Sequence, residues 1–201
     1  LDEAVKLFRS ESGKKAEKKG SRIAAEGLVN FYENAECLLI LELNSETDFV
    51  AKDNNFIALA ESVANELLNK DESEAQQCIA EMINTSISKL GENIKLRRYF
   101  KIDKNNNVYA YSHNNKIVSM VELKSSDEML AKDICMQIVA SNPLAIDESS
   151  LDKEILKSEK DIYKQELEKL DKKEDIKRNI LEGKMKKFVN ENTSFNPHIM
   201  F

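Results

Sequence analysis

The sequence predicts an α+β protein in which antiparallel sheets are packed with helices, and from which an antiparallel helical hairpin, a coiled coil, projects. Three observations carry this prediction. Apolar runs bounded by turn residues occur at 27–43 and 94–124, apolar residues recur at helical spacing between 56 and 90, and a highly charged segment at 147–192 carries only narrow apolar stripes. A chain of 201 residues is long enough to bury a sizeable core.

The composition is that of a polar globular protein, with 41% apolar and 33% charged residues. No window approaches the roughly 18 consecutive apolar residues of a membrane span. The formal net charge of −6 argues against a broad electrostatic footprint for nucleic acid. We therefore expect neither a nucleic acid nor a membrane as a direct partner.

The first elements in chain order are a helix and a hairpin. Residues 1–19 carry an apolar stripe at helical spacing, formed by Leu1, Ala4, Val5 and Phe8. Gly27–Tyr32 and Cys37–Leu43 are apolar runs on either side of a polar turn, which predicts a β-hairpin. The second run is almost continuous in Leu and Ile, so we expect it to be a central strand.

The helical period then predicts two helices, one from Phe56 to about Asn69 and one from about Glu72 to Leu90. Gly91 is placed to end the second helix. Three strands follow, one beginning near Ile94 and the others at Val108–His113 and Ile117–Lys124. Together with the hairpin they predict one mostly antiparallel sheet that the two helices cover.

The last third of the chain is predicted to be helical. Asp127 is a candidate cap for a helix that runs to Ser141, where Asn142-Pro143 ends it. The residues expected to face inward are Met129, Leu130, Ile134, Ile138 and Val139. The segment that follows has a narrow stripe of apolar residues at helical spacing on each side of a polar bend at 171–174. This pattern predicts an antiparallel helical hairpin over 148–190 that projects from the body.

The segment Asn44–Phe56, NSETDFVAKDNNF, joins the central strand to the first helix of that pair. Its polar opening is typical of a strand end and a helix start, yet Phe49 and Val50 follow at once. Phe49 lies in phase with the apolar face of the helix from Phe56, so periodicity alone favours a buried Phe49. The other interpretation has Phe49 at the surface, as a wedge for a partner.

Residue types that perform chemistry are sparse. His113 and His198 have no neighbour at catalytic or metal-binding spacing, and no phosphate-binding glycine loop occurs. Cys37, Cys78 and Cys135 are odd in number and far apart, which favours buried free thiols in a reducing compartment over a metal site or a disulfide framework. We expect a binding protein rather than an enzyme, with no catalytic residue, metal or cofactor.

Several segments of the sequence resemble those of a known family. NSETDFVAKDNNF looks like the signature of translation elongation factor Ts, the guanine-nucleotide exchange factor for elongation factor Tu. Other segments resemble the family in its order along the chain, over about residues 1–197. These segments are KKAEKKG with RIAAEG, LGENI with RR, MQIVASNP, and EGKMKKF.

The resemblance implies that Thr47, Asp48, Phe49 and Val50 form a tip that inserts into the GTPase domain of elongation factor Tu. Phe49 would be the apolar wedge and Asp48 its polar companion. Insertion would disturb the elements that hold Mg²⁺ and the phosphates, so that GDP leaves and GTP can reload. The resemblance therefore implies that the Phe49 side chain points outward, into solvent.

The resemblance implies a second contact at the strand that follows the histidine-containing turn, with His113, Ile117 and Val118 as its residues. The family commonly has glycine after the isoleucine, where this chain has Val118. A side chain at that position limits how closely the backbone approaches a partner.

Two core subdomains are implied as well. Residues 1–23 would be a helix and linker left from an N-terminal helical module, 24–126 the N-terminal core subdomain, and 127–201 the C-terminal subdomain with the hairpin 148–190. The partner is expected to be elongation factor Tu, in a heterodimer or heterotetramer, with a homodimer of this chain as a further form. The expected location is the cytoplasm, or an organellar matrix where a transit segment precedes Leu1.

One alternative of a different class stays open. In a structural or scaffolding protein, residues 147–192 would form a coiled-coil dimer and the tip would be ordinary core. An RNA-binding factor is opposed by the acidic balance and the sparse basic patches.

Overall fold

The computed structural model describes residues 19–104, 107–124 and 126–193. The predicted first helix, except for Lys19, and His198 in the tail lie outside the described residues. The chain divides into two compact units, of which the first ends at Cys135 and the second begins at Met136. The sequence placed its boundary earlier, at 126–127, and the division into subdomains stays a prediction.

The first unit is built on a three-stranded antiparallel sheet. Strands β1 (Glu26–Glu33), β2 (Cys37–Ser45) and β3 (Lys95–Asp103) lie in the order β1-β2-β3. The prediction that Cys37–Leu43 forms the central strand is confirmed. Its alternate residues Leu39, Leu41 and Leu43 are fully buried, because neighbouring strands flank β2 on both edges and helices cover this face.

Three helices lie between β2 and β3 in the sequence. They are α1 (Asp48–Ala51), α2 (Asn54–Asn69) and α3 (Glu72–Leu90). Helices α2 and α3 cover one face of the sheet. Their part of the core consists mainly of Phe56, Leu59, Ala60, Val63, Ala64, Leu67, Leu68, Ala75, Ile79 and Ile87. Gly91 ends α3 as predicted, with φ of 83° and its N–H donating to the Ile87 carbonyl.

The pairing of β2 with β3 is interrupted by a bulge at Glu42. Glu42 is paired with Arg98, whereas the next residue, Leu43, is paired with Leu96, so Arg97 is the extra residue. Both arginines reach the same carboxylate, at 3.5 Å for Arg97 and 2.6 Å for Arg98. The charges of Arg97 and Arg98, which are adjacent in the sequence, are therefore partly neutralised by Glu42.

The remaining strands, β4 (Val108–His113) and β5 (Ile117–Glu122), form a separate two-stranded antiparallel sheet. The prediction of a single sheet is therefore wrong. Strand β3 presents exposed Lys95, Arg97 and Lys101 along an edge strand, and charges of this kind discourage further pairing. The β4–β5 hairpin instead bonds to β1, where the Val29 N–H donates to the Asn115 carbonyl at 2.8 Å.

Helix α4 (Glu128–Ser141) begins and ends where the sequence placed it. The Asp127 carboxylate accepts the Leu130 N–H at 3.0 Å, and Asn142 adopts a φ of 45° before the proline. The predicted inward face is wrong in the first turn, since Met129 is 78% exposed and Leu130 is also exposed.

The side chains of α4 that are fully buried are the small ones, Ala131 and Cys135. Small residues let the helix approach the β4–β5 hairpin closely, as the bond from Ser119 Oγ to the Cys135 carbonyl shows at 2.9 Å. Burial raises the pKa of the Cys135 thiol. All three cysteines are free, and Cys37 is buried as expected, but Cys78 is only half-buried.

In the second unit, α5 (Lys153–Glu168) and α6 (Glu174–Asn192) are joined through the predicted polar bend. Lys184 bridges them, with its ammonium 2.5 Å from the Glu166 carboxylate and 4.9 Å from the centroid of the Tyr163 ring. The α+β class is confirmed, whereas the projection of a helical hairpin stays a prediction. In the part of the chain that the structure describes, no helix has the length and apolar character needed to cross a bilayer.

Candidate partner-binding site

The tip between β2 and α2 is a single capped helical turn. Thr47 has extended backbone angles and its hydroxyl accepts the Val50 N–H at 3.4 Å, which is the geometry of an N-cap. The Thr47 carbonyl accepts the Ala51 N–H at 3.2 Å. Asp53 then caps the start of α2 by accepting the Asn55 N–H at 2.7 Å. Two helix starts six residues apart fix the path of the chain through the tip.

Phe49 points away from the protein and is 82% exposed. Its neighbours behave differently, because Val50 packs against the core and Ala51 is buried. The second helix start at Asp53 resets the helical phase, so Phe49 does not continue the apolar face of α2. The buried position that periodicity favours is therefore wrong. The scaffold alternative, which treats the tip as ordinary core, loses this part of its support.

The end of β2 is anchored by two buried polar side chains. Asn44 donates from Nδ2 to the Glu26 carbonyl at 2.9 Å, which ties the end of β2 to the start of β1. Ser45 is fully buried and donates from Oγ to the Thr47 carbonyl at 2.9 Å. Because buried polar groups are costly unless bonded, each of these bonds specifies one chain path into the tip.

A second set of bonds joins the tip to the corner between α3 and β3. The Glu92 carboxylate accepts the Thr47 N–H at 3.0 Å and the Thr47 hydroxyl at 2.6 Å. In the other direction, the Glu46 carboxylate accepts the Asn93 N–H at 2.6 Å. Glu46 also lies 3.6 Å from the Arg22 guanidinium. The tip is thus bonded to residues that lie 45 and 47 positions away in the sequence.

The charged groups of the tip form one exposed ion pair. Lys52 Nζ lies 2.8 Å from the Asp48 carboxylate, one helical turn earlier. The hydrogen bond and the charge of Lys52 lower the pKa of Asp48, and Lys116 lowers it further. In turn, the hydrogen bond and charge of Asp48 raise the pKa of Lys52. Asp48 therefore carries its negative charge at every physiological pH.

The turn between β4 and β5 lies beside the base of the tip. Asn114 and Asn115 have φ values of 52° and 54°, and the Lys116 N–H donates to the His113 carbonyl at 3.0 Å. Lys116 Nζ then reaches β1, at 3.0 Å from both the Glu26 carboxylate and the Gly27 carbonyl.

The pairing between β1 and β2 connects this turn to the tip. Glu26 is paired with Ser45, the last residue of β2, and Gly27 is paired with Asn44. Lys116 is therefore bonded to the strand positions that lie directly opposite the entrance to the tip. The positive charge of Lys116 also contributes to lowering the pKa of Asp48 in the tip.

The three residues predicted for the second contact differ in exposure. Ile117 is 48% exposed, His113 is exposed, and Val118 is half-buried. The His113 ring lies 3.2 Å from the Tyr111 hydroxyl and 3.2 Å from the Asn114 amide nitrogen. Within the described ranges, no group of three or more His, Cys, Asp or Glu side chains is arranged to hold a metal ion.

Comparisons with known proteins show the family of the chain. The family model described as Elongation factor TS matches residues 46–197, which begin at the tip. The chain belongs to the elongation factor Ts family. Relatives that carry the name Elongation factor Ts include the following three. They come from Xanthomonas oryzae pv. oryzae strain PXO99A (39% identity, 100% of this chain and 73% of the relative), Xanthomonas euvesicatoria pv. vesicatoria strain 85-10 (38%, 100% and 73%) and Alkalilimnicola ehrlichii (37%, 96% and 70%).

As a member of the elongation factor Ts family, the chain is a translation elongation factor and acts in protein biosynthesis. The structure brings the two predicted contact regions, Thr47–Val50 and His113–Val118, to adjacent positions of one unit. Their roles as partner contacts stay predictions.

Sequence reasoning missed the residues that hold these regions. The Asp48–Lys52 pair was visible in principle from its i, i+4 spacing. Glu92 lies in the LGENI segment that resembles the elongation factor Ts family, but nothing local indicates that it bonds to Thr47. For Lys116, the Asn-Asn-Lys sequence predicts only a tight turn, since its contacts with β1 depend on tertiary structure.

Proposed function

We propose that this chain is a guanine-nucleotide exchange factor that binds elongation factor Tu carrying GDP and promotes GDP release. The observation that carries the proposal is the exposure of Phe49 on a capped turn in a member of this family. A large aromatic side chain held in water has no stabilising role in the free protein. It gains free energy only when a partner covers it.

In this mechanism the tip Thr47–Val50 enters the GTPase domain near its nucleotide site, with Phe49 as the wedge. A few buried aromatic anchors commonly supply most of the binding energy of an interface. Asp48 enters with Phe49 as a carboxylate, since its pKa is lowered. A negative charge and an apolar ring near the nucleotide would disturb the elements that hold Mg²⁺ and the phosphates, and GDP is then bound less tightly.

The energetics of exchange follow from linkage. A factor that binds the nucleotide-free GTPase more tightly than the GDP-bound form weakens GDP binding by the same ratio. Equal affinity for both forms would shift nothing. The free energy of covering Phe49 must therefore be gained mainly in the nucleotide-free complex. No covalent bond is made or broken by the factor, which acts as a binding protein and not as an enzyme.

The second contact is assigned to His113, Ile117 and Val118, beside the base of the tip. Ile117 offers a half-exposed aliphatic side chain, and His113 offers an exposed imidazole. Two adjacent contacts on one unit would fix the angle at which the tip enters its partner. The proposed assembly is a complex with elongation factor Tu, a heterodimer or heterotetramer, and the proposed location is the cytoplasm.

The test is the release of fluorescently labelled GDP from elongation factor Tu, with and without this chain. We expect Phe49→Ala to lower the exchange rate at limiting factor concentration by about 30-fold, the equivalent of an interface anchor worth about 2 kcal/mol. The unfolding midpoint should change little, because the side chain is exposed. Ile117→Ala should lower the rate by about threefold.

Met129→Ala is the matched control, since Met129 is about as exposed as Phe49 but lies on α4, outside both contact regions. It should exchange at the rate of the unaltered chain. If the unaltered chain does not accelerate GDP release, the exchange function is wrong. If it does and Phe49→Ala matches Met129→Ala, the function stands and the assignment of the tip is wrong.

A further inference from the structure

We propose that Glu46, Thr47, Glu92 and Asn93 form a reciprocal clasp that sets the direction in which the tip presents Phe49. Glu92 is its central positioning residue. The inference rests on the proposed exchange function for its kinetic consequence, but the clasp itself is a property of the free chain. Neither glutamate is expected to touch the partner.

The clasp is two-way. One carboxylate reaches from the α3–β3 corner to the tip, where Glu92 accepts both the N–H and the hydroxyl of Thr47. The other reaches from the tip to the corner, where Glu46 accepts the Asn93 N–H. Charge-assisted bonds of this kind are stronger than neutral ones, and two opposed connections resist rotation better than one.

Glu92 also controls the cap of the tip helix. The Thr47 hydroxyl has one hydrogen, which it donates to Glu92 at 2.6 Å, and the oxygen of the same hydroxyl accepts the Val50 N–H. The carboxylate therefore selects the rotamer of Thr47 that caps the helix. Val50 in turn packs against the core, so the direction of the intervening Phe49 is fixed from both sides.

The corner is a rigid base for these bonds. Gly91 ends α3 with φ of 83°, and Asn93 is buried and donates from Nδ2 to the Arg22 carbonyl at 2.7 Å. The next residue, Ile94, is part of the core. Glu92 is thus carried by a short segment whose two ends are fixed, and it transmits that position to the tip.

The expected consequence is preorganisation. An exposed aromatic side chain on a mobile loop would lose conformational freedom on binding, and that loss would weaken the complex. A clasped tip meets its partner already ordered. Loss of the clasp should therefore reduce exchange while Phe49 itself is intact.

The first experiment compares Glu92→Gln with Glu61→Gln in the labelled-GDP assay, over a range of factor concentrations. The two donors of Thr47 bind different oxygens of Glu92, and glutamine replaces one of these oxygens with an NH2 group that donates and cannot accept. Glu61 lies on the exposed side of α2, so Glu61→Gln removes the same charge without altering the clasp. We expect Glu92→Gln to lower the rate at limiting concentration about tenfold and Glu61→Gln to leave it unchanged.

The second experiment reads the tip in the free chain. The sequence contains no tryptophan, so Phe49→Trp introduces a single indole whose fluorescence anisotropy reports the motion of the tip. Adding Glu92→Gln to this variant should lower the anisotropy, and adding Glu61→Gln should not. A purely global effect of Glu92 on stability would leave the anisotropy of the folded chain unchanged.

A double-mutant comparison links the two residues. Thr47→Val removes the hydroxyl that Glu92 binds, so the combination of Thr47→Val with Glu92→Gln should reduce exchange less than the product of the two single effects. If Glu92→Gln does not fold, Glu46→Gln tests the opposite connection of the clasp by the same two measurements.

The outcomes separate the two proposals. Unchanged exchange and unchanged anisotropy in Glu92→Gln overturn the clasp and leave the exchange function standing. A chain that never accelerates GDP release overturns the exchange function, and the anisotropy still decides whether the clasp exists. Reduced exchange with unchanged anisotropy also overturns the clasp, because Glu92 would then act by another route.

Discussion

The tip Thr47–Val50 and the turn Asn114–Lys116 lie side by side but are held in different ways. The tip presents Phe49, and the turn is followed directly by the exposed Ile117. The turn is specified locally, by two asparagines with positive φ and one backbone bond across it. The tip is specified from a distance, by carboxylates that connect it to the α3–β3 corner.

This difference indicates different roles in binding. Phe49 is far more exposed than Ile117 and is held by several bonds around it, which suits a wedge that must arrive in one orientation. Ile117 belongs to a strand and is half covered, which suits a contact that follows the backbone of the hairpin. Both depend on β1, because β1 pairs with the strand that leads to the tip and receives the bonds of the turn.

The largest expected effect comes from Gly27→Ala, which would disturb the base of both regions at once. A Cβ at Gly27 would lie 2.1 Å from the Leu43 carbonyl oxygen, and the φ of 144° is one that side chains rarely adopt. We expect a loss of about 3 kcal/mol in the free energy of unfolding. Urea denaturation followed by circular dichroism measures it.

Gly183→Ala is the matched control for that substitution. A Cβ at Gly183 meets nothing within 4 Å, and the residue lies inside α6. Replacing an exposed helical glycine with alanine should stabilise the chain by about 0.5–1 kcal/mol. Equal destabilisation by the two substitutions would mean that the close approach of β1 and β2 at Gly27 is not present in solution.

The same contrast explains what the sequence could predict. Local signals were sufficient for the turn, since Asn-Asn-Lys between two apolar runs predicts a hairpin turn, and for the ends of α3 and α4, which Gly91 and Asn142-Pro143 terminate. They were sufficient for the central strand too, whose almost continuous Leu and Ile favour a position between two other strands.

Local signals failed where tertiary contacts decide. Periodicity predicts a buried Phe49 because it treats the tip and α2 as one continuous helix. In the structure Asp53 caps a new helix, so the helical phase of α2 does not extend back to Phe49. It also placed Met129 inward, although the close approach of α4 to β4–β5 selects the small side chains Ala131 and Cys135 instead. The bonds of Glu92 join residues 45 apart in sequence, and no short pattern encodes them.

A smaller effect is expected at the turn alone. Asn115 has a φ of 54°, which costs alanine more than asparagine or glycine. Asn115→Ala should therefore lower the free energy of unfolding by about 1 kcal/mol, and Asn115→Gly should leave it nearly unchanged. Urea denaturation of the two variants tests this. The bonds of the tip do not involve Asn115, so neither variant should change the fluorescence anisotropy of an indole introduced by Phe49→Trp. A change of anisotropy in Asn115→Ala or Asn115→Gly would show that the turn and the tip are coupled.

The smallest effect is expected for the ion pair on the tip. Lys52→Gln removes the hydrogen bond and charge that lower the pKa of Asp48, so that pKa should rise towards its ordinary value of 3.8. A carboxyl whose folded pKa is depressed contributes stability above its unfolded pKa and loses it as pH falls through the folded pKa. Both side chains are exposed, so the unfolding midpoint at neutral pH should hardly move.

Titration of the Asp48 carboxyl by NMR between pH 2 and 6 measures the change directly. Lys116→Gln provides a graded comparison from the neighbouring turn, because the charge of Lys116 has a smaller influence on Asp48 than Lys52 does. The expected order of Asp48 pKa values is therefore unaltered chain, then Lys116→Gln, then Lys52→Gln. If Lys116→Gln raised the pKa more than Lys52→Gln, the turn and not the tip helix would control the charge that Asp48 presents beside Phe49.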